Sequence, residues 1–269
     1  MKRLKFLIAG IAVSLLSGCY IDVEVPDTAP PSPPLGLYAE ARDNKVYLDW
    51  NHSPERDVAG YKIWVSYSYS GRYELIGTTG GNYFNDKDAR NGTTYYYAVS
   101  AYDYSHNESE LSDAFAFATP RPEGFGVSIN NYRTQPATAG YDFLTYSIGQ
   151  YNDNYTDIFF EYYNGEYYMN VWNDTDIKDM GTTNSLYEIT KAPSSGWSPT
   201  KDVILRVGRT YVVWTNDDHY AKFRVVSISS TRAVFDWSYQ LQKGNPYLKR
   251  NVVEARLELK LGPGAEGRN

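Results

Sequence analysis

Short runs of alternating apolar and polar residues, separated by turn pairs, recur along this chain from residue 35 onward. Leu35 to Ala41 alternates, and Val46-Tyr47-Leu48-Asp49-Trp50 places Val46, Leu48 and Trp50 on one face. Tyr61 to Tyr67 continues the pattern, and Tyr95 to Ala101 sets Tyr95, Tyr97, Val99 and Ala101 on one side. A period of two buries one face only if the segment is a strand. The pairs Asp43-Asn44, Ser70-Gly71 and Asn91-Gly92 supply the turns between runs. The pattern predicts an all-β chain whose first unit is an antiparallel sandwich.

Further runs follow. Phe143 to Gly149, Asp157 to Tyr163 and Glu166 to Trp172 read as strands, and Asn164-Gly165 between the last two predicts a type I′ hairpin. Arg209 to Thr215 and Tyr220 to Ile228 read as a second hairpin closed by Asn216-Asp217-Asp218-His219. Ala233 to Gln242 and Val252 to Leu261 complete the set, with a short helical turn expected at Leu186 to Lys191. The fold class is therefore all-β, a first sandwich followed by a second β-rich sandwich or barrel-like domain. The boundaries read as residues 35–120 for the first domain, 121–262 for the second and 263–269 for a disordered tail.

The first unit resembles fibronectin type III modules over residues 35–119. Pro33-Pro34-Leu35-Gly36-Leu37 matches the entry to the first strand, and Val46-x-Leu48-x-Trp50 the second strand with its core tryptophan. Asp57 to Ile63 matches the loop into the third strand, and Gly92-Thr93-Thr94-Tyr95-x-Tyr97-x-Val99-x-Ala101 the sixth. Asn107 to Ser112 leads toward the last strand, and Thr119-Pro120 matches the exit. The resemblance implies that Tyr95 is a tyrosine-corner residue whose hydroxyl bonds back to the upstream backbone. Ala89 departs from it, because many members carry a larger apolar residue there. Such modules serve as spacers, adhesion units or binding domains, so the fold alone assigns no function.

Residues 1–18 combine the cations Lys2, Arg3 and Lys5 with an apolar run from Phe6 to Leu16. That run is shorter than the roughly 20 residues a spanning helix needs, and it suits a signal peptide. Leu16-Ser17-Gly18-Cys19 resembles the bacterial lipobox, which implies cleavage before Cys19 and its lipidation. The expected location is the cell envelope, lipid-anchored to the membrane at Cys19. Tyr20, where Asp often signals inner-membrane retention, favours the outer membrane in a two-membrane organism. Residues 19–34 carry five prolines and read as an extended tether reaching roughly 45 Å.

Cys19 is the single cysteine, so neither a disulfide framework nor a thiolate metal site is available. A net charge of −6 without a basic stripe argues against a nucleic-acid partner. The 27 tyrosines have two explanations, strand composition and an exposed ligand platform. The platform reading nominates Trp172, Trp197, Trp214 and Tyr162 for binding a glycan or a partner protein, and His219 is the candidate ligand for haem or metal capture. Trp197 lies in the loop Ser194 to Pro199, where it either meets ligand or tucks into the core. Gly208 to Thr215 with His219 to Val225 resembles a motif of haemophore-type lipoproteins, which take haem between two histidines. His219 is the only histidine of this region, and Met169 and Met180 are the available thioethers. Two acidic runs, Asn152-Asp153-Asn154-x-x-Asp157 and Asp174-x-Asp176-x-x-Asp179, have calcium-type oxygen ligands without the EF-hand pattern. Asp217, Asp218 and His219 offer acid and base groups. No serine elbow, HExxH motif or phosphate loop accompanies them. The expectation is a non-enzymatic binding or adhesion module with no cofactor. Haem or metal capture by the second domain and a purely structural envelope role are its alternatives.

Overall fold

A computed structural model describes residues 26–112 and 116–248. The signal segment with Cys19, the expected strand Val252 to Leu261 and the tail lie outside the described residues. The chain is all-β.

The first sandwich is built from β1 (Tyr38–Arg42), β2 (Lys45–Asp49), β3 (Val58–Ser66), β4 (Glu74–Thr79), β5 (Tyr83–Asp86), β6 (Tyr95–Asp103) and β7 (Ala116–Ala118). One sheet runs β1-β2-β5 and the other β4-β3-β6-β7, with every pairing antiparallel. The alternation places Ala39, Ala41, Val46, Leu48, Tyr61, Ile63, Tyr97 and Val99 in one core between the sheets. Trp50 packs edge-on against Tyr61 at 5.3 Å. Ala89 is buried in the same core, so its small side chain is accommodated there. Burial and the Asp86 carboxylate, which accepts from the Tyr97 hydroxyl at 2.7 Å, raise the Tyr97 phenol far above its ordinary range.

The tether expectation needs correction. Pro31 and Pro34 are buried. Ser32 N donates to Glu55, and Asn107 Nδ2 donates to the carbonyl of Asp27. Residues 27–34 thus lie along the first sandwich, and the freely extending reach is shorter than roughly 45 Å.

The second sandwich comprises β8 (Glu123–Asn130), β9 (Gly140–Asp142), β10 (Ser147–Gly149), β11 (Ile158–Tyr163), β12 (Glu166–Asn170), β13 (Asp176–Thr182), β14 (Asp202–Ile204), β15 (Arg209–Trp214), β16 (Tyr220–Ile228) and β17 (Arg232–Gln240). Among the described residues its sheets are β10-β9-β11-β12-β14 and β13-β15-β16-β17-β8, both antiparallel, and they face each other as a sandwich. Between them lies a core rich in aromatics, including Tyr141, Phe143, Phe160, Tyr211, Phe223, Phe235 and Trp237.

Phe143 to Gly149 is not one strand. The Asp142 carboxylate accepts from the backbone N–H of Leu144 and the hydroxyl of Thr145, which bends the chain into a turn. Tyr146 completes the reversal with φ +57°, and β9 and β10 pair across it. The helical turn expected after Leu186 is a 3₁₀ turn, Leu186–Glu188, closed by a Ser185–Glu188 capping box.

Both sandwiches carry the same corner. In the first, Arg90 N donates to the Tyr95 hydroxyl at 2.9 Å. In the second, Arg206 N donates to the Tyr211 hydroxyl at 2.9 Å, and that hydroxyl donates to Ile204 O. The segments Arg90-Asn91-Gly92-Thr93-Thr94-Tyr95 and Arg206-Val207-Gly208-Arg209-Thr210-Tyr211 share Arg, Gly, Thr and Tyr at matching places. Gly92 and Gly208 take φ +82° and +81°, a conformation that disfavours any other residue. A buried-side threonine pair accompanies each corner, Thr94 with Thr119 at 2.9 Å and Thr183 with Thr210 at 2.6 Å.

The join Pro120-Arg121-Pro122 is bonded on both sides. Gly92 N donates to Pro120 O, while Arg121 donates to Tyr247 O and Tyr239 N to Pro122 O.

Candidate functional site

Three loops meet at one end of the second sandwich: residues 150–157 between β10 and β11, 171–175 between β12 and β13, and 215–219 between β15 and β16. The first is a chain of tight turns. Asp153 N bonds to Gln150 O and Thr156 N to Asp153 O, and the Thr156 hydroxyl returns to Gln150 O. Together the loops enclose an open cleft of about 390 Å³, walled by Asn152, Asp153, Asn154, Asn173, Asp174 and Asn216. Trp172 forms its apolar wall and is 38% exposed.

The Trp172 ring is held from behind. Phe159, nearly buried at the end of the core, lies 5.1 Å from it. Tyr151 stacks on its flank at 6.4 Å, and Tyr132 stacks on Tyr151 at 4.7 Å. Phe159 also touches Tyr132 and Tyr151, so one buried ring fixes three partly exposed ones. A second cleft shares Asp174 and Asn216 and adds Trp214, Thr215 and Asp218. A third shares Asp153, Tyr155 and Thr156 and adds Asp142, Thr145 and Ser147.

Two carboxylates beneath this surface are shifted in opposite directions. Burial pushes Asp157 up to about 7. The Phe143 N–H, donating at 2.8 Å, works against that rise, and the charges of Asp142, Asp217 and Asp174 add to it. Burial also opposes charge on Asp217. The Thr215 hydroxyl, His219 and the Tyr239 hydroxyl outweigh it and hold that carboxyl below its ordinary value.

The nominated residues separate. Trp172 walls the main cleft and Trp214 the adjoining one, where its Nε1 donates to Asp218 at 2.9 Å. Trp197 is half-buried, 6.1 Å from Trp214 and packed against the small cluster of Ala192, Val212 and Leu248. Tyr162 packs on the main core beside Tyr167, away from these loops. His219 faces Asp217 at 3.1 Å and Tyr239 at 5.5 Å. Met169 is fully buried in the main core, and Met180 packs on the Ala192 cluster.

The second acidic run is not a calcium loop. Asp176 and Asp179 lie on β13, bonded to Lys201 and Arg209. In the first run, Asp153 accepts from Tyr155 N, and Asp157 turns inward to Phe143 N. Among the described residues no group of three or more His, Cys, Asp or Glu side chains is placed to hold a metal ion. Sequence reasoning missed Asn173, the neighbour of Trp172 in the chain, and also Tyr132, Tyr151 and Asn216, which only the topology brings to Trp172. The run Asn152–Asn154 stands out in the sequence as a set of oxygen ligands, whereas the fold places it on the wall of the cleft.

No family model matches the chain. An amylopullulanase of Thermoanaerobacterium saccharolyticum is 38% identical over 87 residues, which is 32% of this chain and 7% of that protein. Chitinase Chi52 of Paenibacillus xylanexedens is 28% identical over 147 residues, 48% of this chain and 27% of that protein. The chain thus spans less than a third of either relative. A Fn3-like protein from Clostridium thermocellum, known by crystal structure, is 30% identical, with 36% of this chain and all of that one covered and a TM-score of 0.30.

Proposed function

We propose that this chain is a non-catalytic polysaccharide-binding module, anchored at the cell envelope through lipid on Cys19, whose binding surface is the loop end of the second sandwich. The observation that carries this reading is Trp172, an exposed indole braced by Phe159 and Tyr151 against a wall of amides and carboxylates. A pyranose has an apolar C–H face and a rim of hydroxyls. A rigid aromatic face takes the first at low entropic cost, and Asn and Asp side chains bond the second. The fibronectin-like first sandwich and the stretches shared with an amylopullulanase and a chitinase support a glycan-associated role. The acidic groups do not assemble into catalytic machinery in this reading. Asp157 is turned to the backbone, and Asp217 is held by Thr215, His219 and Tyr239.

The test is affinity electrophoresis of the chain lacking residues 1–19, run through gels containing pullulan, amylopectin or soluble chitin. Retardation by at least one polysaccharide is expected, with a Trp172→Ala variant losing about tenfold or more in affinity, or about 1.4 kcal/mol. Full retention of affinity by that variant, or no retardation of the parent, would overturn the proposal. Anchoring has its own readout. Full-length protein expressed in a bacterial host incorporates labelled palmitate and fractionates with membranes, and Cys19→Ser abolishes both. Unlabelled full-length protein would remove the anchor.

A further inference from the structure

The first sandwich has a cleft of its own, about 350 Å³, opening where the edge of one sheet meets the edge of the other. Its volume lies within the roughly 300–1,000 Å³ of small-molecule sites. Gly77 lies on β4 against Phe84 of β5. A methyl there would meet the Phe84 ring at 2.8 Å, so the absent side chain lets Phe84 of β5 lie across the gap. Phe84 and Ile76 floor the cleft.

Tyr67 stands at the cleft 71% exposed, so its ring face is open to a ligand. Its ring is not loose, because Tyr95, fixed by the corner bond to Arg90 N, braces it at 5.5 Å. The opposite wall is polar. Asp86 is spent internally on the Tyr97 hydroxyl and on Asp88 N. The side chains of Lys87 and Asp88 are left exposed beside Asn85. One cation and one anion at neighbouring positions do not suit an ionic ligand. They suit neutral hydroxyls, which accept from the ammonium and donate to the carboxylate.

We propose that this cleft is a second glycan site, with Tyr67 stacking on a sugar ring and Asn85, Lys87 and Asp88 bonding its hydroxyls. The proposal rests on the reading of the chain as a polysaccharide-binding module, and it makes that module bivalent. Two sites joined through a short bonded linker hold a long polymer by avidity, which exceeds single-site affinity by about 10²–10⁴-fold when both engage. A short oligosaccharide gains nothing from the second site.

Four proteins decide it: the chain lacking residues 1–19, Tyr67→Ala, Trp172→Ala and the double variant. Pullulan, amylopectin or soluble chitin, whichever retards the parent most, serves as polymer, and its heptasaccharide or hexasaccharide as the short probe. Calorimetry with the short sugar is expected to give two sites per chain in the parent and one in each single variant. Each single variant is expected to lose about tenfold or more on the polymer, and the double variant all binding. If Tyr67→Ala matches the parent in both stoichiometry and polymer affinity while Trp172→Ala is weakened, the second site is refuted and the first stands. If Tyr67→Ala alone is weakened, this site stands and the placement on Trp172 fails. A parent that binds no glycan refutes both. A Tyr67→Ala variant that captures sugar normally but loses a protein ligand would likewise overturn the glycan assignment. Because Tyr67 is exposed, an unchanged melting curve for Tyr67→Ala checks that its effect is local.

Discussion

Replacing Asp157 with Asn is expected to stabilise the protein by about 2–4 kcal/mol at pH 8 and to leave it almost unchanged at pH 4. Asp157 is buried at the head of β11, at the base of the cleft, so ionising it means placing charge where little water reaches. Asp142, Asp217 and Asp174 add repulsion, and one backbone N–H is too little to offset both. The folded carboxyl therefore titrates near 7, whereas in an unfolded chain it titrates near 3.9. Between those values the folded protein keeps a proton that the unfolded chain has released. Stability from this group is thus fully present below about pH 4 and drains away as pH climbs through 7. Three units at about 1.4 kcal/mol each set the upper limit, and relaxation around the charge lowers it. Asn retains an oxygen for the Phe143 N–H and carries no charge. Urea unfolding of both proteins from pH 4 to 8 measures the difference. A gap independent of pH would show that Asp157 is not the group that titrates.

The second large effect is steric. Gly124 on β8 sits directly opposite Trp237 of β17. A Cβ at this position would lie 2.4 Å from the indole Nε1 and 2.8 Å from Cε2. The indole has nowhere to retreat, because Tyr141, Phe143 and Tyr146 pack against it at 5.6, 5.9 and 5.3 Å. Gly124→Ala is therefore expected to cost about 3 kcal/mol through overpacking. The melting temperature of the second sandwich should fall by roughly 10 °C. Gly149→Ala is the control, since a methyl there meets nothing within 4 Å, and it should change the melting temperature little. Equal melting of the two variants would mean that the Trp237 cluster is softer than its packing indicates.

The contrast between these glycines and the strands read correctly shows where local pattern carries information. β2 alternates because one face is buried and the other is wetter, and that difference is written residue by residue, whereas β6, β11, β15 and β16 are buried at consecutive positions and are legible from their aromatic and β-branched runs. β8 contains Gly124 and Gly126, and β13 contains Asp176, Asp179 and Gly181, all residues that strands disfavour. Both become strands because a neighbour, β17 or β15, pairs with them over most of their length, each ladder carrying one register shift. Distant pairing of that kind leaves no periodic trace. The cleft divides in the same way. Trp172 drew notice as a large aromatic at a strand end, but Tyr151 and Asn216 reach it only through loops far apart in sequence. Trp197 stands out for its loop, and its position half-buried beside Trp214 is set by a contact that the local sequence does not announce.

The β8–β17 pairing also governs the order in which the molecule assembles. A chain becomes available N-terminus first, in synthesis and in export alike, and synthesis sets a pace of about 5–20 residues per second. Strands β1 to β7 can close on one another soon after residue 118 appears. β8 must wait for residues 232–240, on the order of ten seconds later. During that interval its backbone is an open template on which another nascent chain could add a strand. Two glycines in eight residues make it a poor template, because such a segment holds an extended shape weakly until β17 arrives. The glycine that makes room for Trp237 in the finished protein is thus expected to lower the tendency of the unfinished chain to pair with its neighbours.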